Sequence, residues 1–157
     1  MGYEDLYREY EERREKALAM GGKAKLDRRR NAGLLNARER LDCLLDKGSF
    51  LESGLFATSA RPGDRDDTPG DGKLCGYGRI GGREAVVIAN DFTVKGASSA
   101  ATNMKKIAQM QRTATERGLP MVFLGESSGA RIPDNMGGLG MGNLLANSPT
   151  QYRRLRE

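Results

Sequence analysis

Histidine is absent from all 157 residues, and so is tryptophan. Without imidazole there is no Ser-His-Asp or Cys-His catalytic apparatus and no His-ligated metal. Any catalysis must draw on carboxylates, lysine or the electrostatics of backbone amides. Cysteine is limited to Cys43 and Cys75, far apart in the chain. Neither a zinc site nor a disulfide framework is therefore expected, both thiols read as buried or neutral fillers, and a reduced, cytoplasmic setting is the natural expectation. No run approaches 18 apolar residues and the first residues lack an apolar stretch, so neither a membrane span nor a signal peptide is expected.

What the chain does have is enough hydrophobic residues, 38%, to build the core of one ordinary domain. Charged residues make up 30% and mean hydropathy is −0.62, so much of the chain is solvated. The net charge of +5 and pI near 9.4 suit a polyanionic partner: nucleic acid, or a phosphate-bearing molecule such as coenzyme A. The basic excess is concentrated in residues 8–40, where acidic residues are interleaved and aromatic ones are sparse beyond Tyr10. That interleaving weakens the nucleic-acid reading.

Residues 3–19 predict an amphipathic helix with Tyr3, Leu6, Tyr7, Tyr10, Ala17 and Leu18 at helical spacing, ended by Gly21-Gly22. After the basic stretch Lys23–Arg30, Asn36 can cap a second helix with Glu39 at the capping-box position. Its Leu41, Leu44 and Leu45 share one face. Residues 58–73, rich in Pro, Gly and Asp, read as an exposed loop. A hairpin follows, Leu74–Ile80 and Glu84–Asn90 about Gly81-Gly82, and the apolar run 85–89 is that of a strand covered on both faces. Ser98 is the expected cap of a helix reaching Arg117, stopped by Gly118 and Pro120. Met121–Leu124 reads as a second buried strand, giving a parallel, right-handed βαβ unit. A Gly-rich tract, 135–142, leads to a further helix from Asn143, and the absence of a later strand suggests a truncated sheet. The chemistry-bearing loops are Glu126-Ser127-Ser128-Gly129-Ala130-Arg131 and Lys95-Gly96-Ala97-Ser98-Ser99. Each leaves a strand end. Small residues there let backbone amides approach a ligand oxygen, and the second loop opens a helix, whose dipole favours anions. Each alone reads as an ordinary turn or cap; together at neighbouring strand ends they suit a ligand site.

Three blocks carry a family resemblance. LLNARERLDCLLDKGSFLESGLFA (34–57), DGKLCGYGRIGGREAVVIANDFTVK (71–95) and GLPMVFLGESSGARIPD (118–134) occur in order within residues 26–138. They resemble the carboxyltransferase (beta) subunits of biotin-dependent acyl-CoA carboxylases of the propionyl-CoA and methylcrotonoyl-CoA type. The resemblance implies the amino-terminal portion of a crotonase-like α/β fold of ββα repeats, with a helical segment at 1–57 and the transferase domain from 58 to 157. It also implies transfer of a carboxyl group from biotin, borne by a separate carrier protein, to the α-carbon of an acyl-CoA. Biotin's ureido nitrogen would take the α-proton, in keeping with the missing histidine.

Implied partners are biotin carboxylase and biotin carboxyl carrier subunits, a carboxyl-terminal carboxyltransferase domain from a neighbouring subunit, and further copies of the chain, with no metal, nucleic acid or membrane. The fragment by itself is expected to be inactive. Position by position, Ser128, Gly129 and Ala130 fall on the family's oxyanion-hole motif. Ser128 replaces a usual glycine, which would be strained if φ there were positive. Lys95, Gly96, Ala97, Ser98 and Arg131 are implied substrate contacts, with Gly96-Ala97 replacing a usual Gly-Gly and Asn103 replacing a His of propionyl-CoA-type members. Arg131 could instead pair with Glu126. Arg28, Arg29 and Arg30 are candidates for coenzyme A phosphates. The alternatives are a crotonase-type enoyl-CoA hydratase or isomerase, for which Glu126 would be the general base, and a basic nucleic-acid-binding module.

Overall fold

The computed structural model describes residues 2–135; the Gly-rich tract beyond 135 and the helix expected from Asn143 lie outside them. The first helix, α1 (Tyr3–Leu18), forms as expected, but only its end is anchored. Ala17 is buried, whereas Tyr3, Leu6, Tyr7 and Tyr10 are exposed. The basic stretch is itself helical, α2 (Lys23–Asn31). α3 (Ala37–Leu44) begins with the expected capping box: Asn36 Oδ1 accepts from the amides of Arg38 and Glu39, and Glu39 accepts from the Asn36 amide.

Four strands form one sheet in the order β1 (Leu51–Ser53), β2 (Lys73–Ile80), β3 (Arg83–Asn90), β4 (Met121–Leu124). β1–β2 and β2–β3 are antiparallel and β3–β4 is parallel. β1 reaches β2 because position 76 is glycine: a Cβ there would fall 2.2 Å from the Leu51 carbonyl oxygen. α4 (Ala101–Arg117) makes the crossover from β3 to β4 and ends at Gly118 in the left-handed conformation, φ 62°.

The run 85–89 is covered on both faces, and its alternation divides the core. Val87 and Ala89 pack with Leu41 and Leu45 beside α3. Val86 and Ile88 pack with Ile107, Met110 and Ala114 of α4. Full burial of such side chains is worth roughly 1.5–3 kcal/mol each, so β3, one of the two inner strands, contributes to both halves of the core.

Three local expectations need correction. β4 is not a fully buried strand: Val122 and Leu124 face the α3 core, but Met121 and Phe123 are 39% and 46% exposed at the sheet edge. Residues 58–73 are not simply an exposed loop. They form two 3-10 turns, Pro62–Asp67 and Pro69–Gly72, with Ser59, Thr68 and Asp71 buried. Ser98 does not cap α4. Ala100 holds the cap position and donates its amide to Asn103 Oδ1.

Candidate functional site

β3 and β4 run parallel, so the segments leaving their carboxyl ends emerge side by side, where open α/β sheets place ligands. A parallel bridge joins Ser99 to Ala130. The Ser99 amide donates to the Gly129 carbonyl and the Arg131 amide to the Ser99 carbonyl, both at 2.8 Å. The two loops singled out from sequence are therefore brought together.

Residues 95–97 form a left-handed turn, with φ of 48°, 62° and 50°. It precedes α4 by several residues and is not the helix amino terminus expected there. For Lys95 and Ala97 this conformation costs roughly 1–2 kcal/mol each. Gly96 is required on packing grounds too, since a Cβ would lie 2.5 Å from Ser128 Oγ and 3.0 Å from Ser128 Cβ. The Ala97 amide donates to the Val94 carbonyl, and the Ala97 carbonyl accepts from Lys73 Nζ at 2.7 Å and Ser127 Oγ at 3.1 Å. Ala97 is thus committed internally and is not a free donor.

The strain feared at position 128 falls instead on its neighbour. Gly129 has φ 106°, while Ser128 is not among the residues with positive φ. The Ser128 amide donates to the Gly96 carbonyl at 2.9 Å, so of the amides expected as a pair at 128 and 129 that of Ser128 is engaged between the loops. The Gly129 amide donates to Ser127 Oγ at 3.1 Å, and that hydroxyl in turn donates to the Ala97 carbonyl at 3.1 Å. In a parallel bridge the central residue's own N–H points away from its partner strand, and that of Ala130 takes no partner among the described residues. Among the described residues nothing lies within 4 Å of a Cβ built at Gly129.

Arg131, expected as a substrate contact, is engaged internally in this structure. Its guanidinium is buried, with Nη1 on Asp71 Oδ1 at 2.6 Å and Nε donating to Ser98 Oγ at 3.2 Å. Asp134 Oδ2 lies 3.7 Å from Nε. Asp71 also accepts from the Asn103 amide at 3.0 Å. Burial pushes the Asp71 carboxyl above its usual range even though Arg131 draws it down. Asn103 donates Nδ2 to the carbonyls of Asp71 and Ser98, so it ties the loop before β2 to the site.

Glu126 pairs with Arg29, not Arg131: both guanidinium nitrogens reach its oxygens, at 2.8 and 2.9 Å, and Arg40 stands at 3.5 Å. The Arg29 guanidinium, expected among the phosphate candidates, is thus shared between Glu126 and the Leu35 carbonyl. Arg30 is 3.4 Å from Asp27, and Arg28 is exposed. Lys95 points its ammonium towards Asp64 and Asp67, at 3.7 and 3.5 Å. Cys43 is exposed and Cys75 is buried, which pushes the Cys75 thiol up. Asp71, Lys73 and Asn90 were not singled out by the sequence reading. A lysine opening a strand of buried pattern, opposite an asparagine, was the available signal.

A cavity of about 530 Å³ lies away from these loops, between α1 and residues 55–70, lined by Arg13, Lys16, Phe56 and Arg65 among others. The Lys16–Asp66 ion pair involves two residues of its wall. Among the described residues no helix is long and apolar enough to cross a membrane.

The carboxyl transferase domain model matches residues 28–155. The chain belongs to that family. Its fold is the crotonase-like α/β fold, as the resemblance implied. A propionyl-CoA carboxylase beta chain from Roseobacter denitrificans is 40% identical over 139 residues, covering 86% of this chain and 27% of that protein. The propionyl-CoA carboxylase carboxyltransferase subunit of Haloferax mediterranei is 38% identical over 143 residues, covering 89% and 28%. The structure of the transcarboxylase 12S hexamer with methylmalonyl-coenzyme A and methylmalonic acid superimposes with a TM-score of 0.80 at 33% identity, over 91% of this chain and 29% of that one. This carboxyl transferase domain chain therefore spans about a quarter of the length of such relatives. Neither the hydratase nor the nucleic-acid reading is favoured by these matches.

Proposed function

We propose that the chain is the amino-terminal part of an acyl-CoA carboxyltransferase. In this reading a carboxyl group borne on biotin is the donor and an acyl-CoA thioester the acceptor. The single observation that supports it most is the bridge joining the two loops, which among the described residues leaves the Ala130 amide without a partner and the space about the Gly129 Cβ position unfilled. Negative charge developing on a thioester or ureido oxygen needs such preorganised donors, each worth roughly 2.7–4 kcal/mol in comparable sites. The Ala130 amide serves directly, whereas the Gly129 amide serves only when the Ser127 side chain gives up its contacts with that amide and with the Ala97 carbonyl. Ser128, Gly96 and Arg131 hold the frame. Biotin supplies the activated carboxyl group when bound; this chain orients the acceptor oxygen and stabilises its charge without an imidazole. Arg28 and Arg30 remain the phosphate candidates of the original trio.

The same reading takes the assembly to include biotin carboxylase and biotin carboxyl carrier subunits, a carboxyl-terminal transferase domain from a neighbouring subunit, and several copies of the chain, in the cytoplasm. It keeps 1–57 as a helical segment that lends β1 to the sheet, and 58–157 as transferase domain. The test is to supply the carboxyl-terminal domain of a propionyl-CoA carboxylase beta chain in trans, with carboxylated biotin and a panel of acyl-CoAs. The expected result is biotin-dependent, labelled carboxyl incorporation into one acyl-CoA. Biotin-independent hydration of an enoyl-CoA would overturn the proposal in favour of a hydratase.

A further inference from the structure

Beneath the two site loops, the sheet sets a lysine directly opposite an asparagine. Lys73 on β2 and Asn90 on β3 are register partners, and both are almost fully withdrawn from solvent. Strand alternation places them on the α4 side of the sheet, two residues along from Cys75 and Ile88 of that core. Apolar side chains are the ordinary solution for such positions. Here Lys73 Nζ donates to the Ala97 carbonyl of the left-handed turn, at 2.7 Å. Asn90 Nδ2 donates to the Glu126 carbonyl, where the chain leaves β4, at 2.9 Å. Each of the two loops therefore rests on one member of the pair.

The placement is unfavourable for the side chains themselves. A buried ammonium is costly unless well compensated, and Lys73 has the Ala97 carbonyl as its hydrogen-bond acceptor. The Oδ1 of Asn90 is buried with no hydrogen-bond partner among the described residues. Neither belongs to the loops that carry the donors. What the pair does accomplish is to fix two carbonyls, one on each loop, from a rigid double strand.

We propose that Lys73 and Asn90 are positioning residues that hold the 95–97 turn and the 126–131 loop at a set separation, so that the Gly129 and Ala130 amides meet substrate in a fixed geometry. The mechanical part stands on the hydrogen bonds alone, and the catalytic part rests on the carboxyltransferase reading. Between the loops the reporters are the amides of Ser99, Ser128 and Arg131, which donate to Gly129, Gly96 and Ser99 carbonyls. The Val86 amide, donating to Pro120, reports on the sheet below.

The experiment is amide hydrogen exchange on the 157-residue chain carrying Lys73→Met, Lys73→Gln or Asn90→Leu. Exchange at the three reporters should rise tenfold or more in Lys73→Met and Asn90→Leu, with Val86 unchanged. Lys73→Gln, which keeps a neutral donor, should restore part of the protection and covers the case in which the methionine variant does not fold. A uniform rise across loops and sheet, or no change at the reporters, would overturn the proposal. In the trans-complemented carboxyl-transfer assay the same variants should lower kcat about tenfold with KM for acyl-CoA nearly unchanged. Loosened loops with unaltered kcat would refute the catalytic part. Failure of the unsubstituted chain to transfer carboxyl groups would sink the functional reading instead, while the exchange result would still judge the positioning role.

Discussion

At the residue scale, the Ala130 amide is the donor whose loss isolates the proposed chemistry. Ala130→Pro removes the N–H and leaves the neighbouring Ser99 and Arg131 hydrogen bonds possible. Carboxyl transfer should fall about 100-fold or more, with the thermal melt of the variant checking that the fold survives. Arg131 acts differently. Arg131→Met leaves Asp71 buried without its cation and should cost about 3–5 kcal/mol in urea unfolding. The folded Asp71 carboxyl titrates above its unfolded value, so its contribution is full below the unfolded pKa of 3.8 and is lost as pH rises through the folded pKa. The deficit of Arg131→Met should therefore shrink at acid pH, and Asp71→Asn should rescue part of it at neutral pH. Gly96→Ala meets both a positive φ and the Ser128 side chain. Ser128→Gly in the same chain should relieve the contact but not the backbone strain, and a double-mutant cycle of melting temperatures separates the two.

Among the elements, α3 and β4 show how the sheet draws its stability unequally from its two sides. Asn36→Ala removes the acceptor of two helix amides and should cost about 1 kcal/mol. Leu41→Ala, at a position only 1% exposed, should cost roughly 2–5 kcal/mol. Phe123→Ala on β4 should cost well under that, about 0.5 kcal/mol, because the ring stands at an open edge. Chemical denaturation of the three variants side by side tests the ranking. A Phe123→Ala loss as large as that of Leu41→Ala would mean that the edge is covered in solution.

For the molecule as a whole, a buried lysine, Lys73, and a half-buried one, Lys106, set an alkaline signature. Burial brings the Lys73 pKa down from 10.5 to about 8, and burial likewise lowers that of Lys106, whose ammonium donates to the carbonyls of Gly54, Gly70 and Lys73. Between the folded and unfolded values the unfolded chain binds more protons, so stability rises with pH across that window. For Lys73 that window runs from about pH 8 to 10.5. The Cys75 thiol, held protonated by burial, works in the opposite direction. Melting temperature should therefore climb more steeply with pH in the unsubstituted chain than in Lys73→Met, which retains Cys75, Asp71, Lys106 and Arg131. Equal slopes would show that Lys73 does not titrate there.

Sequence alone determined the hairpin about Gly81-Gly82, the doubly covered strand 85–89, the capping box at Asn36, the left-handed stop at Gly118 and the family, since each depends on periodicity, local backbone preference or motif order. Only the tertiary structure decided which amides are free. Whether Ser128 offers its N–H to a ligand or to Gly96 depends on how closely two loops 32 positions apart are drawn together, and that is set by the parallel pairing of β3 with β4. The same holds for Arg131, which meets Asp71 across 60 residues, and for Glu126, claimed by Arg29 across 97. Partner choice among polar groups is a matter of long-range proximity and shared burial, which local residue pattern does not encode.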